Sequence, residues 1–162
     1  MAIEENIEYQ MTQEGYDKLV EELEHYKKVK RPDVIEKIKI ARSFGDLSEN
    51  SEYSSAKEEQ GFIEQKIHEM EQQIRYAKIV EIDDSSKAIR LGHTVTYLEL
   101  PEGTKERYKI VGSAEANPFE YKISNESSVA QALLGKEVGD IARVSLPTGA
   151  EDYMDIKILK VE

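Results

Sequence analysis

Apolar side chains recur at alternating steps of three and four residues between positions 53 and 77, which is the heptad spacing of a coiled coil. The positions between them are mostly Glu, Lys, Gln and Arg, which are good helix formers. This pattern predicts one helix from about Ser51 to Val80. The positions that share the spacing, with Gln60 as the polar member, are Tyr53, Ala56, Gln60, Ile63, Ile67, Met70, Ile74 and Ala77.

An earlier stretch carries the same spacing but slips by one residue near Pro32. Proline lacks an amide hydrogen and clashes with the preceding helical turn, so we expect a kink or break near residues 31–32. Thr12 is a suitable N-cap for this arm, and Gly45 is a suitable end. The spaced positions are Tyr16, Leu19, Leu23 and Tyr26 before the slip, and Val34, Ile38 and Ala41 after it.

Two amphipathic helices joined by a short loop pack antiparallel, so the pattern predicts a helical hairpin over residues 1–80 with its tip at 45–50. Each arm has about thirty residues, and at ~1.5 Å rise per residue the rod is roughly 45 Å long. A two-helix hairpin of that length buries little surface per residue. Its length therefore indicates a function that needs the distance.

The pattern changes after Val80 to short runs of β-branched and aromatic residues separated by turn sequences, which are typical of strands. The stretch SSVAQALLG predicts a short helix that Gly135 closes. Residues 81–162 are therefore predicted to form a small globular domain on an antiparallel sheet, and the whole chain a two-domain α+β protein. The predicted strands lie at 93–100, 106–112, 140–147 and 152–162.

The charge balance narrows the possible partners. The chain of 162 residues has 33 acidic and 22 basic side chains, and its formal net charge is -11. Such a chain is repelled by nucleic acid at long range, which argues against a free-standing DNA- or RNA-binding domain. It favours a protein partner, or a nucleic acid that a protein already holds. The chain has no cysteine, so disulfides and thiol chemistry are excluded. Neither a signal peptide nor a membrane span is predicted, and we expect a cytoplasmic protein.

The tip sequence GDLSENSEY, at 45–53, holds Asp46, Glu49 and Glu52 close together. One interpretation is structural: Asp46 caps the following helix, and the acid three residues later approximates a capping box. The other is a hard-cation site, because two carboxylates can hold Mg²⁺ weakly and leave the remaining positions to other ligands. Completed by further carboxylates, such a pair could take part in a two-metal arrangement that activates water against a phosphodiester.

A basic stripe follows the first arm, and most of it is interpreted as a solvated helix face. Arg42 and Lys57 differ because they lie near the acidic tip, where cations would offset the repulsion between carboxylates and a phosphodiester. Tyr53 could stack on a base, but it also occupies a heptad position and suits packing between the arms. The members of the stripe are Lys27, Lys28, Lys30, Arg31, Lys37, Lys39 and Arg42.

The remaining candidates have plain structural interpretations. His25, His68 and His93 have no metal-ligand spacing and are predicted to be surface or structural residues. Glu126-Ser127-Ser128 precedes the short helix and suits its N-cap. The sequence shows neither a glycine-rich phosphate loop after a strand nor a supported Ser-His-Asp pattern.

The stretch ARSFGDLSENSEYSSAKEEQ, at 41–60, strongly resembles the signature of the GreA family of bacterial transcript cleavage (transcription elongation) factors. The resemblance extends in order over nearly the whole chain. The other matching stretches are MTQEGYDKLVEELE at 11–24, VKRPDVIEKI at 29–38 and IVGSAEANPFEYKISNESSVAQALLGKEVGD at 110–140.

This resemblance implies an N-terminal antiparallel coiled coil and a C-terminal domain with an FKBP-like fold. It also implies that bacterial RNA polymerase is the partner. The globular domain would dock on a coiled coil of the largest subunit at the rim of the secondary channel, and the hairpin would pass down the channel. There the RNA 3′ end is extruded after backtracking, and the polymerase cleaves its own transcript. The protein would thus stimulate an enzyme without being one.

The resemblance also implies roles for individual residues. Asp46 and Glu49 would hold no metal tightly alone but would share Mg²⁺ with the polymerase active centre. Arg42, Tyr53 and Lys57 would contact the extruded RNA. Glu126, Ser127 and Ser128 correspond to the polymerase-docking loop, which commonly has the pattern acid-Ser-Pro in the family, so a serine here takes the place of that proline.

Two other functions are compatible with the same architecture. The protein could be a channel-binding inhibitor of polymerase, although such a blocker would be expected to alter the Asp-x-x-Glu pattern that this sequence keeps. It could also be a coiled-coil adaptor or chaperone with no polymerase role, in which the tip acids only cap a helix.

Overall fold

The computed structural model describes residues 7–45, 50–149 and 151–162, and these form two compact units. One unit is helical and spans Asp17–Tyr76. The other combines the N-terminal residues up to Tyr16 with Ala77–Glu162. Within the described ranges, no helix is both long enough and apolar enough to cross a membrane.

Three α-helices build the helical hairpin: α1 at Gln13–His25, α2 at Arg31–Arg42 and α3 at Ser51–Arg75. Thr12 caps α1 as predicted, because its Oγ1 accepts a hydrogen bond of 3.1 Å from the backbone N–H of Gly15. The prediction that the last helix continues to Val80 is wrong. The chain leaves the helix after Arg75, and Ala77–Ile79 pair with another strand instead.

A π-helical segment at Tyr26–Lys30 joins α1 to α2 and explains the slip in the heptad spacing. The N–H of Arg31 donates to the carbonyl of Tyr26, five residues earlier, and the flanking backbone angles stay helical. One extra residue per turn shifts the apolar spacing by one position, which matches the sequence. The predicted kink or break at Pro32 thus takes the form of a π-helical turn just before the proline.

The spaced residues form the contact face between the two arms. Val34, Ile63 and Ile67 make up a buried cluster, and Leu23 and Tyr26 pack against it. The pairing is antiparallel, because Arg31 of α2 bonds Glu64 of α3 while Lys37, further along α2, bonds the earlier Glu59. The other buried residues at the spaced positions are Leu19, Ile38, Ala41, Ala56 and Met70.

Two short strands flank the hairpin in sequence and pair with each other. Strand β1 at Tyr9–Met11 runs parallel to β2 at Ala77–Ile79. The N–H of Val80 adds a further hydrogen bond of 2.9 Å to the carbonyl of Met11. The chain therefore leaves for the hairpin and returns from it at adjacent points.

The globular unit is built on a five-stranded sheet with the order β5-β4-β3-β7-β6. All neighbours are antiparallel except β4 and β5, which run parallel, so one pair differs from the expected antiparallel sheet. The strands are β3 at Thr94–Leu100, β4 at Lys105–Val111, β5 at Lys122–Ser124, β6 at Ile141–Ser145 and β7 at Tyr153–Val161.

One face of this sheet carries the core. Helix α4 at Ser128–Leu133 contributes Ala130 and Leu133 to it, and Gly135 follows the helix with a φ of 82°. Two 3₁₀ turns, at Ser113–Glu115 and Pro118–Glu120, connect β4 to β5. The predicted two-domain α+β class, with a helical hairpin and a sheet domain bearing one short helix, is confirmed.

Candidate functional site at the hairpin tip

The two candidate metal-binding carboxylates, Asp46 and Glu49, lie outside the described residues. The residues on both sides of them are described. Helix α2 ends at Arg42, and the N–H groups of Ser43 and Phe44 bond back to the carbonyls of Ile40 and Ala41. Gly45 follows with a φ of 106°, a left-handed value that suits glycine and ends the helix as predicted.

Helix α3 begins with Asn50 as its N-cap. The Asn50 Oδ1 atom accepts hydrogen bonds from the backbone N–H groups of Glu52, at 3.0 Å, and Tyr53, at 3.1 Å. These bonds satisfy donors that have no partner inside the helix. Asn50 therefore fills the N-cap position of α3. Asp46, for which capping was one of two interpretations, lies outside the described residues.

The same Asn50 side chain also contacts the other arm. Its Nδ2 donates a hydrogen bond of 2.7 Å to the carbonyl of Ala41 in the last turn of α2. The carbonyl also accepts a bond of 3.3 Å from the N–H of Phe44, so both its lone pairs are used. One amide group thus joins the helix end before the tip to the helix start after it.

Arg42 and Tyr53 come together beside the tip. The Arg42 guanidinium carbon lies 5.9 Å from the centre of the Tyr53 ring, which is within cation–π range. Tyr53 is half-buried and Arg42 is exposed, so the ring limits where the cation can point. Lys57 lies one turn further along α3, where it donates to the side chain of Gln60 at 2.9 Å.

The basic stripe of the first arm is largely neutralised by ion pairs. Arg31 makes a two-pronged contact with Glu64, at 2.7 and 2.8 Å. Among the carboxylates that the structure describes, none pairs with Arg42 or Lys57, the two cations nearest the tip. The paired members of the stripe and their partners are Lys27–Glu71, Lys28–Glu24, Arg31–Glu64, Lys37–Glu59 and Lys39–Glu36.

These pairs shift the protonation of the carboxylates on the hairpin. Hydrogen bonding from Arg31 lowers the pKa of Glu64, and hydrogen bonding from Lys27 lowers the pKa of Glu71. Both carboxylates are therefore held ionised against α2 and the π-helical segment. The stripe is a structural feature over most of its length, as its interpretation as a helix face predicted.

The predicted docking residues form the N-terminus of α4. Ser127 is its N-cap, because the Oγ accepts a hydrogen bond of 3.2 Å from the N–H of Ala130. Glu126 and Ser128 on either side are exposed. Ser128 is the first helical residue, a position where proline is common because the amide has no partner within the helix. Serine therefore occupies a position here that proline would also fit.

The three histidines behave as structural or surface residues. His93 is buried, with 2% exposure, and both ring nitrogens are bonded: Nδ1 accepts from the N–H of Arg90 and Nε2 lies 3.0 Å from the carbonyl of Asp83. His25 and His68 are exposed. Across residues 7–45, 50–149 and 151–162, no group of three or more acidic or histidine side chains is arranged to hold a metal.

Two important residues were not found from the sequence. Asn50 was detectable, because asparagine directly before Ser-Glu-Tyr is a strong N-cap signal. Glu115 was not, since its carboxylate bonds Thr12, which lies 103 positions away. No local pattern points to such a partner.

Comparison with known proteins assigns both halves of the chain. Residues 4–79 match the family described as "Transcription elongation factor, N-terminal". Residues 84–162 match the family described as "Transcription elongation factor, GreA/GreB, C-term". Together the two matches account for almost the whole chain.

Curated relatives are similar over their full length. The transcription elongation factor GreA of Macrococcus caseolyticus is 61% identical over 154 residues, covering 95% of this chain and 96% of the relative. The GreA of Staphylococcus epidermidis (strain RP62A) is 56% identical over 160 residues, covering 99% of this chain and 100% of the relative.

A solved structure, the GreA factor homolog 1 (Gfh1) protein of Thermus thermophilus, aligns with a TM-score of 0.44 and 27% identity. It covers 96% of this chain and 99% of that one, but a superposition at that score decides nothing about function. The family assignment rests on the two family matches and on the relatives. The chain belongs to the GreA/GreB family of transcription elongation factors.

Proposed function

We propose that this protein stimulates the intrinsic endonuclease activity of bacterial RNA polymerase on backtracked transcripts. In this role it is not a complete enzyme, because it supplies charged groups to a catalytic centre that belongs to its partner. The hairpin would enter the polymerase secondary channel, and the globular unit would dock at the channel rim on a coiled coil of the largest subunit.

The proposed metal-binding residues are Asp46 and Glu49. Their carboxylate oxygens are the ligand type that Mg²⁺ prefers, but two are too few for a closed site. They therefore suit an ion that polymerase carboxylates also hold. When bound, Mg²⁺ supplies activation of water and stabilisation of charge on the phosphodiester.

The N-cap of α3 is the observation that most supports this role. Asn50 makes the hydrogen bonds that Asp46 was otherwise expected to make. The N-cap position of α3 therefore does not require the aspartate, which supports a different role for Asp46. The sequence keeps both acids in the pattern expected of a cleavage factor.

The distribution of ion pairs supports RNA contacts near the tip. Five of the seven cations of the stripe pair with glutamates, whereas Arg42 and Lys57, like Lys30, have no carboxylate partner among the described residues. Of these three, Arg42 and Lys57 lie near the tip. We assign these two side chains to phosphates of the extruded RNA. Tyr53 would restrict the Arg42 guanidinium through their cation–π contact. The other face of the Tyr53 ring would be available to stack on a base.

The N-terminus of α4 is the proposed docking element for polymerase. Glu126 and Ser128 are exposed there, while Ser127 is engaged in capping. The exposed acid would meet a basic residue of the polymerase coiled coil. We thus assign binding to polymerase to residues 126–128 and stimulation of cleavage to the hairpin tip. Substitutions at these two sites can therefore separate the two activities.

A cleavage assay on stalled, backtracked complexes tests the proposal. Purified polymerase, Mg²⁺ and the protein should release 3′ fragments from the RNA and restore extension. Asp46→Ala and Glu49→Ala should each abolish stimulated cleavage while competing normally with the unsubstituted protein for polymerase. Undiminished cleavage by Asp46→Ala would refute the metal role, and inhibition of extension by the unsubstituted protein would indicate a channel blocker.

A further inference from the structure

The five-stranded sheet has a second face, opposite the one that carries the core. Core side chains such as Tyr97 and Ile156 alternate along each strand with side chains that point to the other side. We call the side of the sheet formed by these alternate positions the outer face. Seven of the 22 basic residues of the chain lie on it. They are Lys105, Arg107, Lys109, Lys122, Arg143, Lys157 and Lys160.

The strand register places four exposed cations in two lines, one on β4 and one on β7, with β3 between them. Residues opposite each other on neighbouring strands point to the same face. Neighbouring strands are ~4.8 Å apart, so the two lines are about 10 Å apart. The cations face each other as Lys105 and Lys157 across Leu98, and as Arg107 and Lys160 across Thr96.

Ion pairs leave an excess of positive charge on these two lines. Glu162 serves two cations at once, Arg107 at 3.0 Å and Lys160 at 2.7 Å. Lys105 and Lys157 have no carboxylate partner in the part of the chain that the structure describes. The remaining pairs are Lys109–Glu14, Lys122–Glu120 and Arg143–Asp155. Seven cations therefore share four carboxylates, whereas each paired cation of the hairpin stripe has a glutamate of its own.

This local excess is opposite in sign to the net charge of the chain, which is -11. At about 0.1 M salt the Debye length is roughly 10 Å, so a partner in contact with the outer face is screened from more distant acids. Lysine is depleted in protein–protein interfaces, whereas interfaces with DNA are much more positively charged. Five of the seven cations are lysines, so the composition of the outer face favours nucleic acid over an acidic protein surface.

We propose that the outer face of the sheet binds the phosphate backbones of duplex DNA. Two lines of cations about 10 Å apart suit two backbones on either side of a groove, since the grooves of B-DNA are about 6 and 12 Å wide. A single strand is normally held by aromatic stacking, and Thr96 and Leu98 between the lines offer none. Contacts to phosphates carry no sequence information, so the binding is independent of base sequence.

The salt dependence of DNA binding tests this proposal. The probe is a fluorescently labelled duplex, and anisotropy measures its affinity for the full chain between about 50 and 200 mM KCl. Replacing both Lys105 and Lys157 by Gln removes the two cations without partners. We expect the slope of log K against log salt to become shallower by about two, because each phosphate contact contributes roughly one. Affinity at the lowest salt should fall about tenfold.

A matched control separates the outer face from net charge. Replacing both Lys87 and Lys136 by Gln changes the net charge equally, and both residues are exposed cations of the globular unit outside its strands. This variant should keep the original affinity within about twofold. Glu162→Gln should act in the opposite direction, because it releases Arg107 and Lys160 for phosphate contacts. We expect it to tighten binding about threefold and to make the salt slope steeper.

The outcomes that would overturn the proposal are distinct. Undetectable duplex binding at the lowest salt, or equal losses in the two double variants, would refute it. Tighter binding to a single-stranded RNA of the same length would refute the duplex as ligand. Preference for a polyglutamate peptide would instead identify an acidic protein surface as the partner. The proposal goes beyond the proposed function: Asp46→Ala should bind the duplex normally, and failure here would leave stimulated cleavage untouched.

Discussion

Thr12 and Glu115 are joined by two hydrogen bonds although 103 positions separate them in the chain. The backbone N–H of Thr12 donates to Glu115 Oε2 at 2.9 Å, and its hydroxyl donates to Oε1 at 2.5 Å. The N–H of Gly112 adds a longer bond of 3.4 Å to the same carboxylate. Thr12 is 3% exposed, so these groups have little access to water as an alternative. The carboxylate thus anchors the residue that caps α1.

Removing this carboxylate should destabilise the globular unit. We expect Glu115→Ala to lower the free energy of unfolding by about 2–3 kcal/mol, because the buried donors of Thr12 lose a charged acceptor. Thermal denaturation followed by circular dichroism measures the change. Glu102→Ala is the matched control, since Glu102 lies exposed in the turn between β3 and β4. Equal melting temperatures for the two variants would contradict the assignment.

Converting the π-helical segment to regular α-helix should leave the hairpin stable only if the proline that follows it is also replaced. Deleting Lys30 alone places Pro32 inside a regular α-helix, where it costs about 3 kcal/mol. Deleting Lys30 in combination with Pro32→Ala should instead leave stability within about 1 kcal/mol, because Tyr26 and Val34 then fall at regular heptad spacing. Denaturant unfolding of the single and double variants measures both values.

A deletion elsewhere in the same arm is the control for this prediction. Deleting Glu36 shifts Ile38 and Ala41 off the contact face, and no π-helical residue follows that could absorb the shift. We expect a loss of about 2–5 kcal/mol, the cost of removing large apolar contacts. Should the double variant lose as much as the Glu36 deletion, the π-helical segment would not be a simple one-residue insertion.

Replacing Arg42 should slow stimulated RNA cleavage, whereas replacing an ion-paired cation on the same helix should leave the rate unchanged. Arg42→Gln is expected to slow stimulated cleavage at subsaturating protein about three- to tenfold, in keeping with roughly 1 kcal/mol for an exposed charge contact. Lys39→Gln, which removes a cation paired with Glu36, is the control. The comparison should be made at two salt concentrations, since a phosphate contact weakens as salt rises. Identical rates for the two variants would refute the RNA contact.

The hairpin should lose stability in acid. The pKa values of Glu64 and Glu71 are lowered in the folded state by hydrogen bonds from Arg31 and Lys27. A carboxylate with a lowered folded pKa contributes stability that is present above its unfolded pKa and is lost as the pH falls through the folded pKa. We therefore expect the melting temperature to fall as the pH is lowered through and below the ordinary glutamate range.

Glu64→Gln isolates one of these contributions. The variant should be less stable than the original protein at neutral pH, and the difference should shrink as the pH falls below the ordinary glutamate range. Melting curves at a series of pH values test this. A difference that stays constant with pH would show that the Arg31 contact contributes packing and not charge.

Proline should be accepted at position 128. Ser127 has a φ of -65° and a ψ of 152°, extended values that suit a residue before proline. We expect Ser128→Pro to change stability by less than about 1 kcal/mol, and in the stabilising direction. Val129→Pro is the contrast, because it would follow a residue in helical conformation. A destabilised Ser128→Pro variant would show that the serine hydroxyl or amide has a role in the loop.

The helical hairpin could be predicted from sequence because its determinants are local. Heptad spacing identified the residues that now form the contact face, and even the one-residue slip before Val34 was visible. The backbone structure that produces this slip could not be predicted, because proline permits either a break in the helix or a π-helical turn. The choice depends on whether residues on both sides keep their partners on α3, as Tyr26 and Val34 do.

Features that depend on distant partners were missed. Ala77 continues the heptad spacing, but it pairs with Tyr9 in the β1–β2 ladder, and this ended the helix earlier than expected. Strand β5 has only three residues and follows a 3₁₀ turn, so it offers too short a pattern. At the tip, the capping-box pattern favours Asp46 as a cap, whereas Asn50, directly before the helix, is the N-cap of α3.

The parallel pairing of β1 and β2 has a consequence for how this family can vary. Both connections to the hairpin leave from one ladder, in which Met11 faces Ile79. One heptad added to each arm would lengthen the hairpin by about 10 Å and keep the apolar face in phase. The sheet would experience no change. Hairpin length is thus a dimension that evolution or protein engineering can adjust in discrete increments, independently of the domain that carries it.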